Sequence, residues 1–111
     1  MVDEYVNVTG FDAVVSQKQT APGAGANAVT SSSLTTNFNG DLIYGVTFNM
    51  NGNAEMINAG SGFAVRQQSA GFGEATEDRV VGNAPQVGAA TFTASLGASN
   101  YYLTFAVALV R

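Results

Sequence analysis

The chain of 111 residues has no cysteine, no histidine and no tryptophan, and only 11% of it is charged. Each absence excludes something. Without cysteine there is no disulfide framework, no zinc–thiolate centre and no thiol nucleophile. Without histidine the usual general base and the commonest metal ligand are gone, so no Ser-His-Asp or Cys-His arrangement can form within the chain. The lack of tryptophan weakens any case for a sugar-stacking platform. Basic residues number four, Lys18, Arg66, Arg79 and Arg111, and the net charge is −4. Such a surface is a poor partner for nucleic acid, where phosphate neutralisation supplies most of the affinity. No apolar run reaches the length of a membrane span. The start, MVDEYVNV, has no basic region followed by an apolar stretch and so does not read as a signal peptide.

What is present is alternation. Leu42, Tyr44, Val46, Phe48 and Met50 alternate with Ile43, Gly45, Thr47 and Asn49. This period of two predicts a strand with the larger set facing inward. Tyr101, Leu103, Phe105, Val107 and Leu109 form a second such set. The opposite side of that run is also largely apolar, which predicts a central strand partly covered on its second face. Ala90, Phe92, Ala94 and Leu96 are expected inside, with Thr91, Thr93 and Ser95 outside. Weaker runs are Val6 with Val8, then Phe11, Ala13 and Val15, then Leu34, Thr36 and Phe38, and Phe63 with Val65. Turn signals separate them at intervals that suit a sandwich or barrel. The expectation is one domain over residues 1–111: an all-β, antiparallel β-sandwich of about eight strands, jelly-roll-like. Only residues 54–59 offer even one helical turn.

Parity also constrains the turns. A two-residue hairpin at Asn39-Gly40 would flip Phe38 out of register with Leu42. Either a three-residue loop, 39–41, pairs Phe38 with Leu42, or the chain crosses between sheets at Gly40. The same reasoning gives a loop at 51–53 that pairs Met50 with Ala54 and Phe48 with Met56. Residues 21–27, APGAGAN, read as a mobile loop or a linker between strands of opposite sheets.

The stretch GFGEATEDRVVG, residues 71–82, is the best candidate for active chemistry. It lacks the third glycine of a dinucleotide fingerprint, and no helix follows it. It reads instead as a turn at Gly71 and Gly73, then a short strand over 77–81, with Arg79 paired to a neighbouring carboxylate. The acids Asp3, Glu4, Asp12, Asp41, Glu55, Glu74, Glu77 and Asp78 read first as solvated turn residues. Two of them at the right separation could run glycoside hydrolysis, but no aromatic cleft is evident. Calcium is a better use of loop acids, yet no D-x-[DN]-x-[DN]-G loop occurs. Lys18 falls on the solvent side of its strand, against an isopeptide bond. Asn7-Val8-Thr9 matches a glycosylation acceptor inside an expected strand. Tyr101 and Tyr102 must point to opposite faces, leaving one for solvent or a partner. No catalytic, cofactor-binding or metal-ligating residue is assigned.

The order of Glu4-Tyr5, then GDLIYGV (40–46), GSGFAVR (60–66), EDRVV (77–81) and a final Thr/Ser-rich hairpin resembles the C-terminal portion of bacterial extracellular β-sandwich modules of the concanavalin-like or jelly-roll kind. The resemblance implies a secreted or cell-surface, non-catalytic module and transfers no binding residue. It further implies strands ahead of Glu4, whose absence would leave sheet edges open to pairing. The function expected is adhesion or accessory binding, with a protein or glycan surface as partner. The rival is a structural subunit that binds copies of itself as a homo-oligomer, because sparse charge resists association weakly.

Overall fold

The computed structural model describes residues 1–20, 28–96 and 100–111, with the side chains of residues 18–20 also left aside. The expectations for residues 21–27 and for the Lys18 side chain therefore lie outside the described residues. The fold is all-β and antiparallel. Ten strands appear: β1 (Gly10–Thr20), β2 (Ala28–Thr30), β3 (Leu34–Thr36), β4 (Leu42–Asn49), β5 (Ile57–Ala59), β6 (Ala64–Ser69), β7 (Glu74–Val80), β8 (Gln86–Gly88), β9 (Thr91–Ala94) and β10 (Tyr101–Val110). A five-stranded sheet runs β1-β10-β4-β7-β6, a three-stranded sheet β2-β9-β5, and a two-stranded ribbon β3-β8. No helix forms among the described residues, and 57–59, allowed above as part of a helical turn, is strand.

The core lies between the larger sheet and the β2-β9-β5 layer. Val29, Ile57 and Phe92 from the smaller layer meet Ile43, Ala75, Ala106, Ala108 and Tyr102 from the larger one, all essentially inaccessible. Burying one such Val or Phe contributes about 1.5–3 kcal/mol. The alternation expected in β9 holds for Ala90, Phe92 and Ala94, but Leu96 is 43% exposed beyond the end of the strand. As expected, β10 is interior to its sheet, and Tyr102 is buried while Tyr101 is 45% exposed.

The face assignment of β4 and β10 is the main correction. Ile43, Gly45, Thr47 and Asn49 point inward, whereas Tyr44, Val46 and Phe48 are half-buried on the outer side and Met50 is exposed. In β10 the inward set is Tyr102, Thr104, Ala106 and Ala108, and Leu103, Phe105 and Val107 face out with Val46 and Phe48. The reason is layer spacing. A Cβ placed on Gly45 would stand 2.5 Å from Ala90 Cβ. Opposite Ala90 the two layers thus meet through glycine, and position 45 has no room inside for a side chain. In β1 a bulge between Phe11 and Ala13 adds one residue. Ala13 and Val15 still pack on the core, but Phe11 swings out and is 77% exposed.

Neither proposed hairpin forms. β3 pairs with β8 and β4 pairs with β10 and β7, so the chain crosses between sheets at Gly40, whose φ of +83° suits glycine. Phe38 is 53% exposed. The chain crosses again after β4, because β5 pairs with β9, so Met50–Ala54 and Phe48–Met56 are not partners. β6 and β7 do form a hairpin, and β7 runs longer than expected, from Glu74 to Val80. Residues 1–9 carry no strand, so Val6, Val8 and Asn7 are not in a ladder; Asn7 sits at φ 62° and is exposed.

Candidate functional site

Residues directly opposite on antiparallel strands point to the same face. The ladders therefore place Phe11 beside Leu109 and Leu42, Val14 beside Val107 and Tyr44, and Phe105 beside Val46. Leu103 lies beside Phe48 in the same way. This outer face of β1, β10 and β4 carries Phe11, Val14, Val46, Phe48, Phe105 and Val107 and no described charged side chain. Val14 is 65% exposed, and the central members are only half-buried.

The other half of the same face is polar and is covered by the N-terminal arm, residues 1–9. The Asp3 carboxylate accepts hydrogen bonds from Tyr44 Oη at 2.8 Å, Thr76 Oγ1 at 2.8 Å and Gln67 Nε2 at 2.7 Å. Tyr5 Oη donates to Asp78 Oδ2 at 2.7 Å, and its ring meets Tyr44 edge-on, with centroids 5.7 Å apart. Arg66 grips Asp78 through two bonds, at 2.7 and 2.6 Å. Desolvation pushes the Asp3 and Asp78 carboxyls up, but their hydrogen bonds, and Arg66 at Asp78, outweigh it and hold both below the usual carboxylate range. Burial and the Asp3 carboxylate push Tyr44 up to about 12, so it stays a neutral donor. A cleft of about 290 Å³ opens beside this latch, lined by Tyr5, Leu42, Arg66, Asp78 and Arg111 among others.

Asp41, Glu55, Glu77 and Asp78 are buried, not the solvated turn residues the sequence suggested, while Glu4 is exposed. Glu77 is 0% exposed and Asp78 3%. Glu77 points inward from β7, opposite Gly45, and reaches the second layer. Its Oε2 accepts Gly60 N–H at 2.9 Å and its Oε1 accepts Thr91 N–H at 3.0 Å. Desolvation outweighs those two bonds and the Arg79 charge, raising its carboxyl to about 7. Arg79 is not in a surface ion pair; its guanidinium lies 4.8 Å over the Phe63 ring. Among the described residues the ion pair present is Arg66–Asp78.

A second buried carboxylate, Glu55, closes the end of the sandwich. It accepts from Asn49 Nδ2, from Tyr102 Oη at 2.8 Å and from the Leu96 N–H at 3.0 Å. Asn100 joins Asn49 at 3.1 Å and Asn53 at 2.7 Å. Glu74, Glu77 and Asp78, adjacent in sequence, are thus divided: Glu77 faces the core and Asp78 the outer latch. Among the described residues no cluster of three acids is arranged for a metal ion. Sequence reasoning missed the latch between arm and sheet, because a contact between Asp3 and residues more than 40 positions away leaves no local pattern.

Comparisons of the chain with protein-family models, with curated proteins and with solved structures return no match.

Proposed function

We propose that the chain is a non-catalytic binding module of an extracellular or cell-surface protein, working by packing the outer face of its larger sheet against another apolar protein layer. One observation carries this: Phe11, Val14, Val46, Phe48, Phe105 and Val107 share one face, with no charged side chain on it among the described residues. Contiguous exposed apolar patches mark interaction surfaces. The buried carboxylates support a structural role, since their oxygens bind backbone N–H groups, tyrosine and amides that join the layers. Sparse charge suits the extracellular assignment, and the lack of cysteine and histidine removes the commonest catalytic groups. The face offers aliphatic groups and phenylalanine rather than converging polar donors, which favours a protein over a glycan as partner.

Self-assembly is the second reading, and the patch itself favours it. In a chain of net charge −4, two copies meeting there bring no described like charges together. Size-exclusion chromatography with light scattering over a range of concentrations tests both, using wild type and Phe105→Ser. Self-assembly requires a mass above 11.4 kDa that grows with concentration and returns to the monomer in Phe105→Ser. A wild type that stays monomeric leaves the partner reading. That reading fails in turn if a hydrophobic dye binds wild type and Phe105→Ser equally.

A further inference from the structure

The N-terminal arm and the sheet beneath it match in spacing. Asp3 and Tyr5 are half-buried, whereas Met1, Val2, Glu4, Val6 and Asn7 are exposed. The arm therefore touches the sheet through side chains two residues apart, as an extended segment does. On β7, Thr76 and Asp78 are also two apart, and Asp3 meets Thr76 while Tyr5 meets Asp78. Neighbouring strands complete the seat. Tyr44 from β4 and Gln67 from β6 donate to the Asp3 carboxylate. Arg66, in the bulge of β6 between Val65 and Gln67, fixes Asp78 as the anion that accepts the Tyr5 hydroxyl. The seat thus presents three donors to a carboxylate and, two residues along, one acceptor to a phenol. Interchanging the two ligand groups would set a carboxylate against Asp78, so order is read as well as spacing. The apolar residues of the arm add little, since Val2 is 86% and Val6 75% exposed. Thr9 N–H pairs with the Val110 carbonyl at 2.8 Å and anchors the base of the arm, and Asn7, at φ 62°, makes the turn just before it. A segment with so few buried apolar contacts opens at low cost.

We propose that this seat is a recognition groove for an extended segment with an aspartate two residues ahead of a tyrosine, and that it takes that segment from a second copy of the chain by arm exchange. Every copy carries both halves of the pair. An exchanged arm makes the same bonds as a resident one, and exchange of an identical element is a low-cost route to an oligomer. The tether opposes it. A short linker holds the resident arm at an effective concentration on the order of millimolar. The resident arm therefore wins in dilute solution, and exchange prevails where copies are packed to that density. Exchange needs nothing from the apolar outer face, because the seat is polar and lies on β4, β6 and β7.

The test uses the full chain. Asp3→Ala with Tyr5→Phe disables the arm and leaves every residue of the seat in place. A peptide of residues 1–7, MVDEYVN, titrated into that variant and followed by NMR, should bind saturably and shift the amides of Gln67, Thr76 and Asp78. Wild type should bind it about tenfold more weakly or worse, because the resident arm competes. The same peptide with its aspartate and tyrosine interchanged should bind neither chain. If the double variant unfolds, Tyr5→Phe alone reads the same competition. For the second copy, the arm variant is mixed with Tyr44→Phe/Gln67→Ala, which keeps its arm and loses two donors from its seat. Both chains carry Phe105→Ser so that the outer face does not contribute. Light scattering at about millimolar concentration should show a species of twice 11.4 kDa in the mixture and in neither chain alone. An arm variant that ignores the peptide, or binds the interchanged peptide equally, overturns the groove. Peptide binding without the mixed dimer overturns the second copy as its ligand.

Discussion

Glu77 makes the sandwich weaker as pH rises. Its carboxyl titrates at about 7 in the folded chain against an ordinary 4.5. Between those values the folded state keeps a proton that the unfolded state has released. The stabilisation is therefore complete below pH 4.5 and is lost as pH climbs through 7. Each tenfold difference in proton affinity is about 1.4 kcal/mol, so the loss is roughly 3 kcal/mol. For a chain of this size that lowers Tm by about 10 °C. Melts followed by circular dichroism at pH 5 and pH 8, in chelator, measure it directly. The chain has no histidine, so no side chain with an ordinary pKa in this window obscures the slope. Asp41, raised by burial and by its contact with Asp12, adds to the slope in the same direction, and Asp41→Asn subtracts it. Glu77→Gln should flatten most of what remains. It also has a cost of its own, because the amide NH₂ then faces one of the two backbone N–H groups. A wild type with equal Tm at pH 5 and 8, or a Glu77→Gln variant that keeps the full slope, would refute the reasoning.

Other perturbations test the latch and the layer spacing. Asp3→Ala removes the acceptor shared by Tyr44, Thr76 and Gln67, and should cost about 1–3 kcal/mol and speed hydrogen exchange over residues 1–9. The same arm should loosen in acid, because Asp3 and Asp78 are depressed: their contribution is present above the unfolded value of 3.8 and fades as pH falls below it. Exchange rates at pH 5 and pH 3 check this. Gly45→Ala sets a methyl 2.5 Å from Ala90 Cβ and should destabilise by about 1–3 kcal/mol through overpacking, read by urea unfolding.

The class of fold was legible because backbone pairing imposes a period of two, and that period is local. β4, β9 and β10 stand out in the sequence for this reason, and the buried Tyr102 beside the exposed Tyr101 follows from it. Which side of a strand is inside is not local information. For β4 the larger apolar set was the natural choice for the interior, yet Gly45, Thr47 and Asn49 are inside. The pairing of Thr47 Oγ1 with Thr104 Oγ1 at 2.8 Å and of Asn49 with Glu55 and Asn100 makes those polar positions tolerable. Partners 6 to 57 residues away cannot be recognised from alternation. The short strands β2, β3, β5 and β8, of three residues each, carry too little pattern to be bounded.

The reversed faces bear on function. The larger sheet turns the small residues Gly45, Ala75, Ala106 and Ala108 toward the core, against Ala90 and Phe92 of the other layer, and a Cβ at position 45 already has no room there. Val46, Phe48, Leu103, Phe105 and Val107 collect outside, on the side opposite the core. A sheet with one solvated face normally alternates apolar inside with polar outside. Here β7 keeps that polar character outside, through Thr76 and Asp78, and the arm satisfies it. β10 and β4 do not: their outward residues are as oily as a core. The larger sheet is thus built like one meant to be covered on both faces, with the arm covering only its polar half. The association surface proposed above would account for that asymmetry. The distinction is measurable, since replacing Val46 and Phe105 with serine should leave the interior packing and Tm nearly unchanged if the face is meant for a partner. If those side chains instead belong to the fold's own core, the double variant should lose several kcal/mol, as large-to-small core changes do.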